Sequence, residues 1–179
     1  MRQLRTLTAL AATASLALAA APSAFARTSG VGSSGGTPTQ NICLAQIKCT
    51  YFNTHNGHAT DVVKHSGTVT SWSVNAGSTG GLVRLRILRP IGNGKFTVVR
   101  SSANHTVTKI GVNTFSSSVK VRAGDVLALG NATSGIYMSQ TNSSDAVRYF
   151  MPSLSDGQSG NPNETASGLH LLLSARVKS

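Results

Sequence analysis

Apolar and polar side chains alternate with a period of two over most of the chain after residue 40, as in strands with one buried face. Gly, Asn and Pro residues separate these segments, and no amphipathic helical period follows the first 26 residues. The pattern predicts an all-β fold of about eight strands, arranged as an antiparallel β-sandwich that is jelly-roll-like. The strand candidates lie at 67–74, 82–89, 95–102, 104–110, 114–122, 126–130, 136–140, 146–151 and 168–177.

The best-defined hairpin joins the segment LVRLRILRP to KFTVVRSS through Asn93-Gly94, a strong short-range turn signal. A two-residue turn at this pair would place Arg100 opposite Ile87. A three-residue connection would instead place Arg100 opposite Arg86. Because a slip of one residue moves every side chain to the other face of the sheet, both arrangements stay open at this point.

The first 26 residues have the three parts of a cleaved secretory signal peptide. Arg2 and Arg5 provide a positive start, an Ala/Leu-rich run follows, and Ala24-Phe25-Ala26 resembles a cleavage site. A membrane-spanning helix needs about 20 apolar residues, and this run is shorter. We therefore expect export with cleavage rather than anchoring, and no transmembrane segment elsewhere in the sequence.

The remaining chain is predicted to consist of a linker and one domain. Residues 27–40 are rich in Gly, Ser and Thr and favour a flexible linker, so residues 41–179 are expected to form the β-sandwich. Two cysteines, Cys43 and Cys49, lie near the start of this domain. An even number of cysteines in an exported chain favours a disulfide, and their spacing does not match a C-x2-C metal motif.

The balance of charge points to anionic partners. The chain has a net charge of +11, and loss of Arg2 and Arg5 with the leader lowers it to +9. A basic exported domain attracts polyanions, so we expect a secreted or cell-wall-associated protein that binds an anionic cell-wall polymer or a glycan. Nothing indicates a specific nucleic acid or an oligomeric state, and net charge that serves only solubility is the alternative.

A longer stretch of sequence carries a resemblance to known proteins. The run GTVTSWSVNAGSTGGLVRLRILRPIGNGKFTVV, followed by GVNTF and VKVRAGDVLALG, resembles a group of uncharacterised secreted actinobacterial proteins. These share a Trp-containing strand, an L-R-[IV]-L-R-P hairpin, an aromatic-T-V-V return strand and a V-x-x-G-D-x-[IL]-x-L element. The resemblance covers about residues 66–130, and it implies export and a β-sandwich without implying an activity or a cofactor.

Three arginines of the predicted hairpin are candidate ligand contacts. Arg84 and Arg86 lie two positions apart, so they project to one side of their strand, and Arg100 lies in the return strand. Guanidinium groups are suited to phosphate and carboxylate groups. The alternative, which strand patterns favour, is a solvated strand face whose charges discourage edge-to-edge association.

Aromatic side chains offer a second kind of ligand site. Trp72, with Tyr51, Tyr137 and Tyr149, could form a platform that stacks on sugar rings. The mature chain has few aromatic residues, and large aromatic side chains are usually buried. Placement in the hydrophobic core is therefore the favoured alternative for Trp72.

The segment HNGHATDVVKH contains four side chains of the types that bind metals. His55, His58, Asp61 and His65 could together coordinate Zn²⁺ or Cu²⁺. Their spacing matches no established metal motif, and a polar loop is the alternative. A metal-binding protein that uses this segment is the second functional hypothesis.

Enzymatic interpretations find little support in the sequence. The five acidic residues include no pair close in sequence of the kind that suggests a glycosidase, and neither a G-x-S-x-G motif nor a phosphate-binding Gly-rich loop occurs. The sequence thus favours a non-catalytic protein without a cofactor. Because catalytic triads are recognised by geometry, a hydrolase with an unrecognised site is the third hypothesis.

Overall fold

A computed structural model describes residues 26–43, 47–131 and 135–179. The predicted signal peptide, apart from Ala26, lies outside the described residues. Within these ranges all the regular structure is β, and no helix is long and apolar enough to cross a membrane. The strands are β1 (Thr28–Ser33), β2 (Cys49–His55), β3 (His58–Ala59), β4 (Gly67–Ala76), β5 (Leu82–Gly92), β6 (Lys95–Ser101), β7 (His105–Thr106), β8 (Gly111–Val121), β9 (Val126–Asn131), β10 (Met138–Gln140), β11 (Asp145–Phe150), β12 (Ser159–Gly160), β13 (Glu164–Ser167), β14 (Leu169–Leu171) and β15 (Leu173–Lys178).

The strands form two main antiparallel sheets and a small third one. The four-stranded sheet has the order β1-β15-β4-β8, and the large sheet has the order β12-β6-β5-β9-β2-β11-β13, with β3 on β2 and β7 on β5. Strands β10 and β14 pair separately. The predicted all-β antiparallel fold is confirmed, although the described strands outnumber the eight expected.

Eight of these strands have the order of a jelly roll. Numbered one to eight along the chain, these strands are β1, β2, β4, β5, β6, β8, β9 and β15. The four-stranded sheet then has the order 1-8-3-6, and the central part of the large sheet has the order 2-7-4-5. This is the double Greek key that the jelly roll is built from. The remaining strands extend the edges of the large sheet or form the additional pair, which explains the higher strand count.

Both faces of the large sheet are buried over much of their area. Its inner face, with Leu85, Ile87 and Leu129, packs against Trp72 and Val74 of the four-stranded sheet. Its outer face carries a second apolar cluster, which consists of Phe52, Leu88, Phe96, Val98, Val126, Ala128 and Phe150, with Leu154 packed against it. Polar side chains on this outer face therefore lie beside a hydrophobic cluster, and the loop that contains Leu154 covers part of the face.

The β5–β6 hairpin adopts the two-residue turn. Asn93 and Gly94 both have positive φ, at 51° and 71°, as a type I′ turn requires. Two register shifts follow the turn, between Pro90 and Gly92 and between Ile87 and Leu88, and they offset each other, so Arg100 lies opposite Ile87 and Arg86 lies opposite Ser101.

The predicted flexible linker is wrong for residues 28–33. This segment forms β1, which pairs along its whole length with β15, and its Val31 side chain is buried. The linker prediction rested on side-chain composition, but backbone hydrogen bonds to β15 and one buried valine order the segment. Gly32 allows the close approach, because a Cβ there would collide with the Leu173 carbonyl. The domain therefore includes residues well before Asn41.

Candidate functional site

A pocket on the outer face of the large sheet brings three cationic side chains together. Lys48, Arg84 and Arg86 line it, and the other lining residues are Cys49, Asn104, Gly130 and Ser153. The pocket has a cavity volume of about 80 Å³. None of the described residues that line it is acidic, so its local charge is strongly positive.

The strand geometry of β5 and β9 places the two arginines in this pocket. Val83, Leu85 and Ile87 fill the inner core, so the alternating Arg84 and Arg86 project from the outer face. Gly130 on β9 pairs with Arg84 and lies beside both side chains. A Cβ at Gly130 would be 2.8 Å from Arg86 Nε and 3.0 Å from Arg84 Cγ. The glycine thus makes the room that both arginines occupy.

The rest of the pocket comes from segments distant in sequence. Cys49 forms the predicted disulfide with Cys43, which is confirmed, and Lys48 directly precedes it. The backbone N–H of Ser153 donates to the Lys48 carbonyl at 2.7 Å and holds the loop after β11 next to the start of β2. Five chain segments and a covalent link therefore shape the pocket before any ligand binds.

Arg86 is the most deeply buried charge of the pocket, with 1% of the residue exposed. Its Nη1 donates to the Leu154 carbonyl, while Nε has no hydrogen-bond partner among the described residues. Burying an ionised group without a counter-charge is costly. Arg86 therefore holds an unpaired charge and an unused N–H group.

No carboxylate compensates this charge, although the structure describes all five acidic residues. None of them forms an ion pair with Arg86. Four are engaged in hydrogen bonds with other side chains, and the fifth lies opposite Tyr149 on the neighbouring strand: Asp61 with Asn53, Asp125 with Arg89, Asp145 with His55, Asp156 with Ser101, and Glu164 across from Tyr149. Ser101 lies opposite Arg86 in the sheet, so Asp156 bonds a neighbour of Arg86 rather than Arg86 itself.

Arg100 does not join the other two predicted arginines. It lines a separate groove with Arg89, Lys120 and Arg122, between the two main sheets. Arg89 is held there by hydrogen bonds to Asp125, which raise the pKa of the guanidinium. The predicted set of three arginines is therefore divided between two basic surfaces, because the register turns Arg100 away from Arg84 and Arg86.

The aromatic platform considered around Trp72 is wrong, and the favoured alternative of core placement is confirmed, because its members are buried. Trp72 is 1% exposed and packs against Phe115, with ring centroids 4.7 Å apart. Tyr51 and Tyr137 are fully buried, and desolvation raises the pKa of Tyr137 to about 12. These rings belong to the core between the sheets, so none of them can stack on a sugar.

The predicted metal ligands go to different partners. His55 Nδ1 lies 2.7 Å from Asp145 Oδ1, whereas the carboxylate of Asp61 is buried and accepts from Asn53 at 2.9 Å. His58 and His65 are exposed. Across the described ranges, no three His, Cys, Asp or Glu side chains are placed to hold a metal ion. The structure therefore does not assemble the metal site predicted from the sequence.

Sequence reasoning missed Lys48, Asn104, Gly130 and Ser153, which come from four separate parts of the chain. Only Gly130 had a local signal. A glycine inside the buried strand VLALG often marks the close approach of another group, and here that group is the pair of arginines.

No known protein family, curated protein or solved structure matches this chain. The fold and the site thus define a class, a disulfide-closed antiparallel β-sandwich with a basic pocket on its outer face. The resemblance to secreted actinobacterial proteins stays a prediction.

Proposed function

We propose that this protein is an exported, non-catalytic β-sandwich that binds anionic polymers of the cell envelope. The observation that carries the proposal is the grouping of basic side chains on two surfaces of the domain. Lys48, Arg84 and Arg86 meet in one pocket without a carboxylate, and a second groove adds Arg100 and Lys120. Two basic surfaces on one domain suit a ligand with repeated negative charges.

Long-range electrostatics support the same ligand class. With the leader removed, the net charge is +9, and a field of one sign attracts polyanions and speeds their association. The Cys43–Cys49 disulfide agrees with an oxidising compartment outside the cytoplasm. A neutral glycan has less support, because the aromatic rings proposed to stack on it are buried.

Binding of the mature protein to isolated anionic wall polymer at increasing ionic strength tests the proposal. We expect binding at low ionic strength that weakens as salt is added, because exposed charges are screened. The double variant Arg100→Gln/Lys120→Gln should bind more weakly. Arg176→Gln/Lys109→Gln removes the same charge from exposed positions outside both basic surfaces and serves as its matched control.

Two results would contradict the proposal. One is an absence of binding even at low ionic strength. The other is an equal loss in the two double variants, which would mean that net charge acts without a defined surface.

A further inference from the structure

We propose that the pocket around Arg86 is a specific site for one phosphate group, the charged unit of a polyanion or a free phosphate. The ligand class rests on the proposed function, whereas the site rests on its own geometry. Three cations converge there from β5 and from the residue before β2, and none of the described lining residues is acidic. This arrangement selects a compact anion and rejects a cation.

The first argument is the buried charge of Arg86, which has no ion-pair partner among the described residues. A guanidinium has five N–H donors and no acceptor, and the Leu154 carbonyl takes one of them. Nε, in a residue that is 1% exposed, has no partner among the described residues. Nε is itself enclosed against Gly130, so an oxyanion in the pocket would neutralise the buried charge of the guanidinium without bonding to Nε.

The second argument is the mixture of donors around the pocket. Arg84 and Lys48 supply two further positive groups, and the Asn104 amide can supply neutral hydrogen bonds, whereas the Ser153 hydroxyl is already bonded to Thr50 Oγ1 at 2.5 Å. A tetrahedral phosphate has several oxygens that accept in different directions. Charge-assisted bonds of this kind are among the strongest that proteins form with anions.

The third argument is the glycine beneath the arginines. A Cβ at Gly130 would lie 2.8 Å from Arg86 Nε and 3.0 Å from both Arg86 Cδ and Arg84 Cγ. Both side chains would have to move if residue 130 were larger. Gly130 is not in the left-handed region, so alanine suits its backbone, and Gly130→Ala disturbs the pocket without changing the net charge.

The test follows the Nε–H resonance of Arg86 by ¹H–¹⁵N NMR while inorganic phosphate is added at constant ionic strength. We expect a saturable shift of this resonance. Gly130→Ala and Arg84→Gln should each weaken phosphate binding by about tenfold or more, the equivalent of one charge-assisted hydrogen bond. Arg100→Gln, an exposed arginine outside the pocket, should leave the dissociation constant unchanged.

The resonance is assigned by its loss in Arg86→Lys. Should that variant fail to fold, the assignment follows from through-bond correlations in the wild-type protein, and Gly130→Ala carries the comparison. Dimethyl phosphate, titrated in parallel, distinguishes the sources of the ligand. Tighter binding of dimethyl phosphate indicates an internal phosphodiester of a polymer, and tighter binding of inorganic phosphate indicates a free or terminal phosphate.

Unsaturable shifts spread over many exposed basic residues, with the Arg86 resonance unmoved, would overturn the site. If the protein still bound the polymer in that case, the proposed function would hold and the phosphate site would not. Saturable phosphate binding without any binding to the polymer would support the site and contradict the proposed function.

Discussion

Asp125 binds Arg89 with both carboxylate oxygens, at 2.8 Å from Nε and 3.0 Å from Nη2. The two partners differ in exposure, because the Asp125 side chain is 1% exposed and that of Arg89 is 34% exposed. Asp125 Oδ2 also accepts the backbone N–H of Arg122 at 2.8 Å. The pair therefore fastens β5 to the turn between β8 and β9, beside the basic groove.

This asymmetry predicts unequal effects of removing either partner. Arg89→Met leaves a buried carboxylate with one remaining N–H donor and should lower the free energy of unfolding by about 3 kcal/mol. Asp125→Asn leaves Arg89 able to reach water and keeps an acceptor for Arg122, so it should cost about 1 kcal/mol. Urea unfolding measures both, with Arg100→Gln as the control, and the opposite order would contradict the interpretation.

Asp61 should make part of the stability depend on pH. Burial raises the pKa of Asp61 above its ordinary value of 3.8, and the hydrogen bond from Asn53 opposes the shift. The folded state thus holds this proton more tightly than the unfolded chain. The contribution of Asp61 to the free energy of unfolding therefore falls as the pH rises from 3.8 through its folded pKa.

The variant Asp61→Asn isolates this contribution. It keeps an oxygen that can accept from Asn53 and removes the buried charge, so at neutral pH it should be at least as stable as the wild type. The measurement is the difference in unfolding free energy between wild type and variant at each pH. This difference is needed because the hydrogen bond from His55 lowers the pKa of Asp145, so the contribution of Asp145 to stability changes with pH in the opposite direction. A difference that does not change with pH would show that Asp61 titrates alike in both states.

The single tryptophan should report burial directly. Trp72 is 1% exposed, so acrylamide and iodide should quench its fluorescence weakly until the protein unfolds. Trp72→Ala should lower the free energy of unfolding by about 3–5 kcal/mol, the usual cost of emptying a large aromatic site, while Trp72→Phe should cost less. Strong quenching in the native protein would place the ring at the surface.

Strand β1 should contribute to stability although its composition suggests a linker. Val31→Asp puts a charge into the core and should cost more than about 2 kcal/mol. Thr28→Asp, at an exposed position of the same strand, is the matched control and should change little. Equal thermal unfolding of the two variants would mean that residues 28–33 do not dock in solution.

Features that depend on neighbouring residues could be predicted from the sequence. Alternating side chains fix the two faces of a strand, which is why the all-β fold and the inward direction of Leu85 and Ile87 were predictable. The Asn93-Gly94 turn follows from the backbone angles that these two residues tolerate. The disulfide was predicted because the sequence has two cysteines and is predicted to be exported, and it is confirmed.

The pocket depended on contacts between distant segments. A period of two separates the faces of a strand but does not say what covers each face. The tertiary structure alone decided that the loop around Leu154 covers Arg86, that Lys48 and Gly130 lie beside it, and that β1 docks on β15. Local conformational preference therefore determined the strands, whereas the packing of two sheets and their loops determined the site.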